Sequence, residues 1–154
     1  MTEIIANQID SYVFRWEKAK PKYLLLKRRK KKFYGHLWQG VAGRIEEGES
    51  AKETVYRELK EETGLTPVRL FVVDHLSSFY QSFKDRINLI PVFGIEVESD
   101  EVILSDEHLE YRWVNLEEAL SLLSWEQQRK ALSVLHRMIT DEDERLKWSE
   151  VVFD

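Results

Sequence analysis

Glu58, Glu61 and Glu62 stand at i, i+3 and i+4, so a helix through them projects three carboxylates from one face. Like charges at these spacings repel, at about 0.2–0.5 kcal/mol per pair, and a hard divalent cation reverses the sign of that interaction. The chain has no cysteine and no pair of histidines at ligand spacing, so clustered oxygen donors here suit Mg²⁺ or Mn²⁺ rather than zinc. Arg57 adjoins the cluster two turns after Glu49, where it can pair with Glu49 and orient the helix. The same charges also read as a solvated acidic surface helix balanced by Lys52, Arg57 and Lys60. A second charged feature is the run Lys27 to Lys32, which suits a nucleic-acid patch, a collar for the phosphates of a smaller ligand, or a solvated loop after a strand.

The glutamates need a scaffold. From Ser50 to Thr63 the pattern is helical, with Ala51, Val55 and Leu59 at i, i+4 and i+8, Ser50 as N-cap and Gly64 as the C-terminal stop. Ile9 to Trp16 and Tyr23 to Leu26 read as strands, and Leu37 to Gly43 is a short, glycine-bounded segment. Val68 to Phe83 and Ile87 to Val97 are long and β-rich, joined by Lys84-Asp85-Arg86 as a hairpin connection. Tyr111 to Val114 reads as a last short strand. Helices follow over Leu116–Leu123 and Trp125–Ile139, the second with Ala131, Leu132, Leu135, Met138 and Ile139 on one stripe. Interleaved strands and helices with one tight strand pair predict an α/β fold, a mixed sheet covered by helices.

The 154 residues fit a single domain spanning 1–154, with no internal repeat and no composition shift. Apolar residues make up 43% and charged residues 33%, which excludes collagenous and disordered chains. Runs such as Leu24–Leu26 fall far short of the ~20 apolar residues that span a bilayer. Met1-Thr2-Glu3-Ile4 lacks a basic and apolar secretory leader, so a cytoplasmic protein is expected. A net charge of −5 argues against a general polyanion binder.

Gly43 to Leu65 resembles the Nudix box, G-x5-E-x7-R-E-U-x-E-E-x-G-U with U a bulky aliphatic. Gly43, Glu49, Arg57, Glu58, Leu59, Glu61, Glu62, Gly64 and Leu65 match it without a gap. By average residue frequencies, such a match has a chance probability of about 10⁻⁹ per start position. The resemblance implies an α/β/α sandwich around a mixed sheet, carrying a loop-helix-loop box and hydrolysing a nucleoside diphosphate linked to another group. It implies Glu58 and Glu62 as principal Mg²⁺ or Mn²⁺ ligands, Glu61 as an auxiliary ligand and the Ala42 carbonyl as another. Arg57 and Glu49 would hold the loop-helix-loop, Gly64 would close the helix, and Gly43 and Gly48 would permit tight turns.

Outside the box, Leu37 to Gly43 with Glu46-Glu47-Gly48-Glu49 resembles the dihydroneopterin triphosphate pyrophosphatase branch. So do Glu107-His108-Leu109-Glu110-Tyr111-Arg112-Trp113, Ser124-Trp125 and Arg129-Lys130-Ala131. This similarity implies that Glu107 faces the metals as an extra ligand or the general base. Arg28 and Arg29 would clamp a triphosphate, and Trp38 and Gln39 would contact substrate, Trp38 either stacking on a ring or packing. Tyr80 and Phe83 share that ambiguity. Ala42 stands where the branch has threonine, and Arg145 to Asp154 extends beyond the match. The expected activity is metal-dependent cleavage of a nucleoside, deoxynucleoside or dihydroneopterin triphosphate to a monophosphate and pyrophosphate. The alternatives are a dinucleoside polyphosphate or other nucleotide-conjugate hydrolase, an RNA cap hydrolase, and a non-catalytic nucleotide sensor. The expected partner is the small-molecule nucleotide or pterin triphosphate, with no membrane or nucleic acid; a homodimer stays open.

Overall fold

The computed structural model describes residues 1–30, 35–141 and 144–152. Lys31 and Lys32 of the basic run, and Glu142 and Asp143 of the acidic stretch, lie outside the described residues. In chain order the elements are β1 (Glu3–Ile5), β2 (Gln8–Glu17), β3 (Lys20–Arg28), β4 (Trp38–Gln39), β5 (Val41–Arg44), α1 (Ala51–Thr63), β6 (Arg69–Gln81), β7 (Arg86–Glu96), β8 (His108–Val114), α2 (Leu116–Leu122), α3 (Glu126–Thr140), α4 (Glu144–Ser149) and β9 (Glu150–Val151). All nine strands join one mixed sheet. Its centre is β2, parallel to β7 and antiparallel to β3 and β5, while β6 and β7 form an antiparallel hairpin.

Strand alternation builds two cores. Tyr12, Phe14, Tyr23, Leu25, Phe71 and Val92 pack with Leu132, Leu135 and Met138 of α3. Ile9, Val13, Leu24, Leu26, Phe93 and Ile95 pack with Val55 and Leu59 of α1 on the opposite face. Tyr23 to Leu26 are therefore apolar without a gap, because both faces of β3 are covered. At Gly94 a Cβ would lie 2.5 Å from Leu135 Cδ1, so the glycine sets how closely α3 approaches the sheet.

The box helix is capped as its residue types predict. Glu53 N donates to Ser50 Oγ at 3.2 Å, and Gly64 N donates to Lys60 O at 2.9 Å with φ of 72°. The glycine-bounded stretch Leu37 to Gly43 carries β4 and the start of β5, separated at Gly40, which passes directly against the Ser11 backbone. The last expected strand is longer than its apolar part and begins at His108. Three elements carry no periodic signal and emerge only from pairing. These are β1 on β7, β9 on β6, and α4, whose Arg145 Nη1 donates to Asp74 Oδ2 at 2.9 Å.

The β2–β3 hairpin turns on Lys18 and Ala19, with φ of 50° and 66°. A two-residue turn of this hand favours Asn-Gly, and an L-residue carrying a Cβ in the left-handed region costs about 1–2 kcal/mol. Ala19→Gly is therefore expected to stabilise the protein by about 0.5–1 kcal/mol, read as a higher urea midpoint at unchanged m-value. A lower midpoint would contradict this account of the turn.

Candidate active site

Burying Val55 and Leu59 leaves the glutamate edge of α1 facing a cleft of about 910 Å³. Its walls include Arg28 at the end of β3, Ala42 and Gly43 of β5, Glu58, Glu61 and Glu62 of α1, and Glu107 before β8. Residues distant in sequence thus share one wall because β2 pairs with both β3 and β5, and β3 pairs with β8.

Arg57 organises the box. Its Nε donates to Glu49 Oε2 at 2.6 Å and Nη2 to Glu49 Oε1 at 3.0 Å, a bidentate pair. The same guanidinium donates to Glu58 Oε1 at 2.7 Å, Glu61 Oε2 at 3.2 Å and the Arg44 carbonyl at 2.9 Å. Glu49 also accepts from Glu46 N and Thr54 Oγ1. The Arg57 contact, with these donors, holds its carboxyl down at about 2. The pair fastens the loop before α1 to the helix itself.

Gly43 acts differently from the turn role expected of it. It lies within β5, and only Gly48 and Gly64 among the glycines have positive φ, 85° and 72°. A Cβ on Gly43 would stand 2.5 Å from Glu58 Oε1, so glycine is required by the close approach of the glutamate.

Glu62 is 3% exposed, and its Oε2 is buried without a hydrogen-bond partner. Burial pushes its carboxyl up to about 9, with the nearby Glu58 and Glu107 charges adding to the rise. Burial also raises Glu58, against the lowering pull of Arg57. Among the described residues no three acidic or histidine side chains converge at ligating distance. Glu58 and Glu61 are turned partly toward Arg57. The donor set nevertheless fits a hard cation: all-oxygen, mutually repelling, with one orphaned carboxylate oxygen at the centre.

The basic residues divide. Arg28 lines the cleft, and its Nε is buried without a partner. Arg29 Nε donates instead to the Asp106 carbonyl, and its backbone N–H donates to the Glu107 carbonyl at 3.1 Å, pinning the loop that carries Glu107. Trp38 is 8% exposed, packed in the α3-side core, with the Arg112 guanidinium 4.9 Å from its ring centroid. Gln39 Nε2 lies 3.1 Å from Nε2 of His108, whose imidazole burial holds down at about 4 and therefore neutral. Tyr80 and Phe83 project at the end of the β6–β7 hairpin, away from the cleft lining. Trp125, singled out in the sequence only as part of the Ser124-Trp125 match and given no role in the site, lines the cleft at 52% exposure. The sequence reading begins the last helix at Trp125, which instead stands at the N-cap of α3.

The Nudix domain family matches residues 8–135. The chain belongs to the Nudix family. The asymmetrical bis(5'-nucleosyl)-tetraphosphatase of Mus musculus is 28% identical over 107 residues, covering 68% of this chain and 73% of that protein. The dihydroneopterin triphosphate diphosphatase of Escherichia coli K12 is 31% identical over 108 residues, covering 62% and 71%. A solved Nudix hydrolase structure from Listeria monocytogenes superposes with a TM-score of 0.77 at 30% identity, covering 89% of this chain and 96% of that one. The chain is a Nudix hydrolase with the family's α/β fold. Among the described residues no helix is long and apolar enough to cross a membrane.

Because the folded-state value of Glu62 is raised, the folded Nudix domain keeps a proton that the unfolded chain releases between about 4.5 and about 9. Stability from this group is full below that window and is lost as pH rises through it. With metal chelated, Glu62→Gln is expected to melt above wild type at pH 8, by roughly 2–4 °C for each kcal/mol recovered, and level with it at pH 4.5. Equal melting temperatures at pH 8 would contradict the buried-carboxylate assignment.

Proposed function

We propose that this Nudix hydrolase cleaves nucleoside or deoxynucleoside triphosphates, or the related dihydroneopterin triphosphate, to a monophosphate and pyrophosphate. The observation that carries the reading is the orphaned, buried Glu62 carboxylate beside Glu58, in a cleft that also holds the unpartnered Arg28 Nε. Arg57 meets Glu58 and Glu61 but leaves Glu62 Oε2 without a partner, and Arg28 offers positive charge to an anion in the same cleft.

A divalent cation, Mg²⁺ or Mn²⁺, held by Glu58, Glu62 and the Ala42 carbonyl with Glu61 as auxiliary ligand, would neutralise phosphoryl charge and acidify water. Arg28 then binds and orients the phosphate chain through its charged donors. Water attacks the α-phosphorus, the α–β bridging P–O bond breaks, and the bridging oxygen leaves with pyrophosphate. The water proton goes to Glu107. That carboxylate is exposed and accepts no hydrogen bond from a described residue, while its main chain is held by Arg29 and Ser105. Glu58 is less suited to take the proton, because Arg57 occupies its Oε1. Neither Arg57 nor Glu49 enters the chemistry; both hold the helix in register with the loop.

A second reading is supported by the similarity to the mouse tetraphosphatase over 73% of its length. In it the same groups act on a dinucleoside polyphosphate. Phosphorus-31 NMR of products with Mg²⁺, from dATP, dihydroneopterin triphosphate and diadenosine tetraphosphate side by side, decides between them. Pyrophosphate from the triphosphates is the expected outcome; cleavage confined to the dinucleotide would replace the first reading with the second.

Glu107→Gln is expected to lower kcat by about 10²–10⁴-fold, the usual contribution of a positioned base, while Mn²⁺ affinity stays within a few-fold of wild type. Glu58→Gln should lose both. Wild-type turnover by a folded Glu107→Gln protein would remove that residue from the mechanism.

A further inference from the structure

Two neighbouring side chains each bury a nitrogen that meets no partner, Arg28 at Nε and His108 at Nδ1. Arg28 and His108 are partners across the β3–β8 ladder, just past the register shift between Lys27 and Arg28. Gln39 reaches the same place from the other edge of β3, where β4 pairs with Leu26 and Lys27. Gln39 is the partner of Leu26, and Leu26 and Arg28 stand two apart on β3, so these side chains share one face of the sheet. The 3.1 Å contact between the Gln39 amide and His108 Nε2 therefore passes over β3 beside Arg28.

That contact can be made in two ways, and only one of them satisfies the neighbours. His108 is 2% exposed beside the Arg28 charge, so its imidazole is neutral and carries a single ring proton. If the Gln39 amide nitrogen donates to Nε2, that proton must sit on Nδ1. Nδ1–H and the Arg28 Nε–H are then two buried donors side by side, with no acceptor for either. Turning the Gln39 amide by half a rotation exchanges two atoms of nearly equal size and brings Oε1 to the same place. The amide oxygen then accepts from Nε2–H, and Nδ1 becomes an acceptor next to the Arg28 donor. Moving one ring proton thus removes both orphans.

We infer that Gln39 and His108 are positioning residues for Arg28, with Gln39 Oε1 accepting from His108 Nε2–H and His108 Nδ1 accepting from Arg28 Nε–H. Held at Nε, the guanidinium keeps both terminal nitrogens for an anion in the cleft that Arg28 and Gln39 line. Arg28 also stands near enough to Glu62 for its charge to pull that carboxyl down against burial. Fixing the guanidinium therefore fixes the gap between the anion clamp and the glutamates. The inference rests on the proposed hydrolase reading for what Arg28 binds, but not for the hydrogen bonds or on turnover.

Nitrogen-15 NMR of the histidine rings in the whole chain at pH 7 tests the relay directly. His108 is expected to carry its proton on Nε2, and Arg28→Ala should move the Nδ1 resonance toward that of a free acceptor. A proton on Nδ1, protons on both ring nitrogens, or an Nδ1 resonance unmoved in Arg28→Ala would overturn it. Calorimetric binding of methylenediphosphonate with Mg²⁺, a pyrophosphate analogue without a cleavable anhydride, tests what the relay is for. Arg28→Ala should weaken that binding by about 10- to 150-fold, the range for a charge-assisted contact, and Gln39→Leu by about 2- to 10-fold, that of a neutral one. In the Arg28→Ala background Gln39→Leu should add nothing further, because it acts only through Arg28. Additive losses, wild-type affinity in Gln39→Leu, or no binding by wild type would overturn the positioning role. A chain that binds the analogue in the expected pattern yet cleaves no triphosphate would lose the hydrolase reading and keep the relay.

Discussion

Forcing Glu58, Glu62 and Glu107 toward one place is the constraint on which the rest of this structure depends. Burial raises the proton affinity of Glu58 and Glu62, neighbouring carboxylate charges add to the rise, and Glu62 has an oxygen that meets no partner. Water would relieve such repulsion if the helix could turn away. Arg57 prevents that by binding Glu49, Glu58, Glu61 and the Arg44 carbonyl together, so the loop, the strand and the helix move as one unit. Gly43 then has no choice of residue type, because the Glu58 carboxylate occupies the space a Cβ would need. Stability is given up at these glutamates, as expected where function rather than folding sets the residue.

The sheet explains how so local a motif becomes a complete cleft. With β2 between β3 and β7 and also paired to β5, the box strand, the end of β3 carrying Arg28 and the strand after Glu107 are neighbours. Arg29 fastens the Glu107 loop to β3, and the Trp38–Leu123 bridge brings the start of α3 to the opposite wall. Each face of the sheet keeps its own apolar layer, so the polar residues of the cleft gather where the two layers end.

Much of this was legible in the sequence, for reasons that differ by element. The box helix was fixed by Ser50, Gly64 and the Val55/Leu59 spacing, all of which act locally. Strands β2 and β3 announced themselves by continuous apolar runs, because both faces of the sheet are covered there, and β6 and β7 by β-rich composition, although Val72, Leu76, Phe79 and Tyr80 of β6 stay exposed. The β2–β3 turn gave no signal, since Lys18 and Ala19 take left-handed conformations without glycine or asparagine. Strands β1 and β9 are two or three residues long and exist only through partners far away in sequence. Side-chain direction was the other hidden variable. Arg28 and Arg29 are adjacent and chemically alike, yet one lines the cleft and the other grips a carbonyl. Trp38, open in the sequence to stacking or packing, is claimed by the core.

The central claim is that a protonated, buried Glu62 next to Glu58 is waiting for a cation. The most direct measurement is calorimetric titration of Mn²⁺ into chelator-stripped protein at pH 7, in buffers of different ionisation enthalpy, which counts protons released per metal bound. The account predicts binding with about one proton released by wild type, and loss of that release in Glu62→Gln. Binding without proton release, or no binding at all, would contradict it.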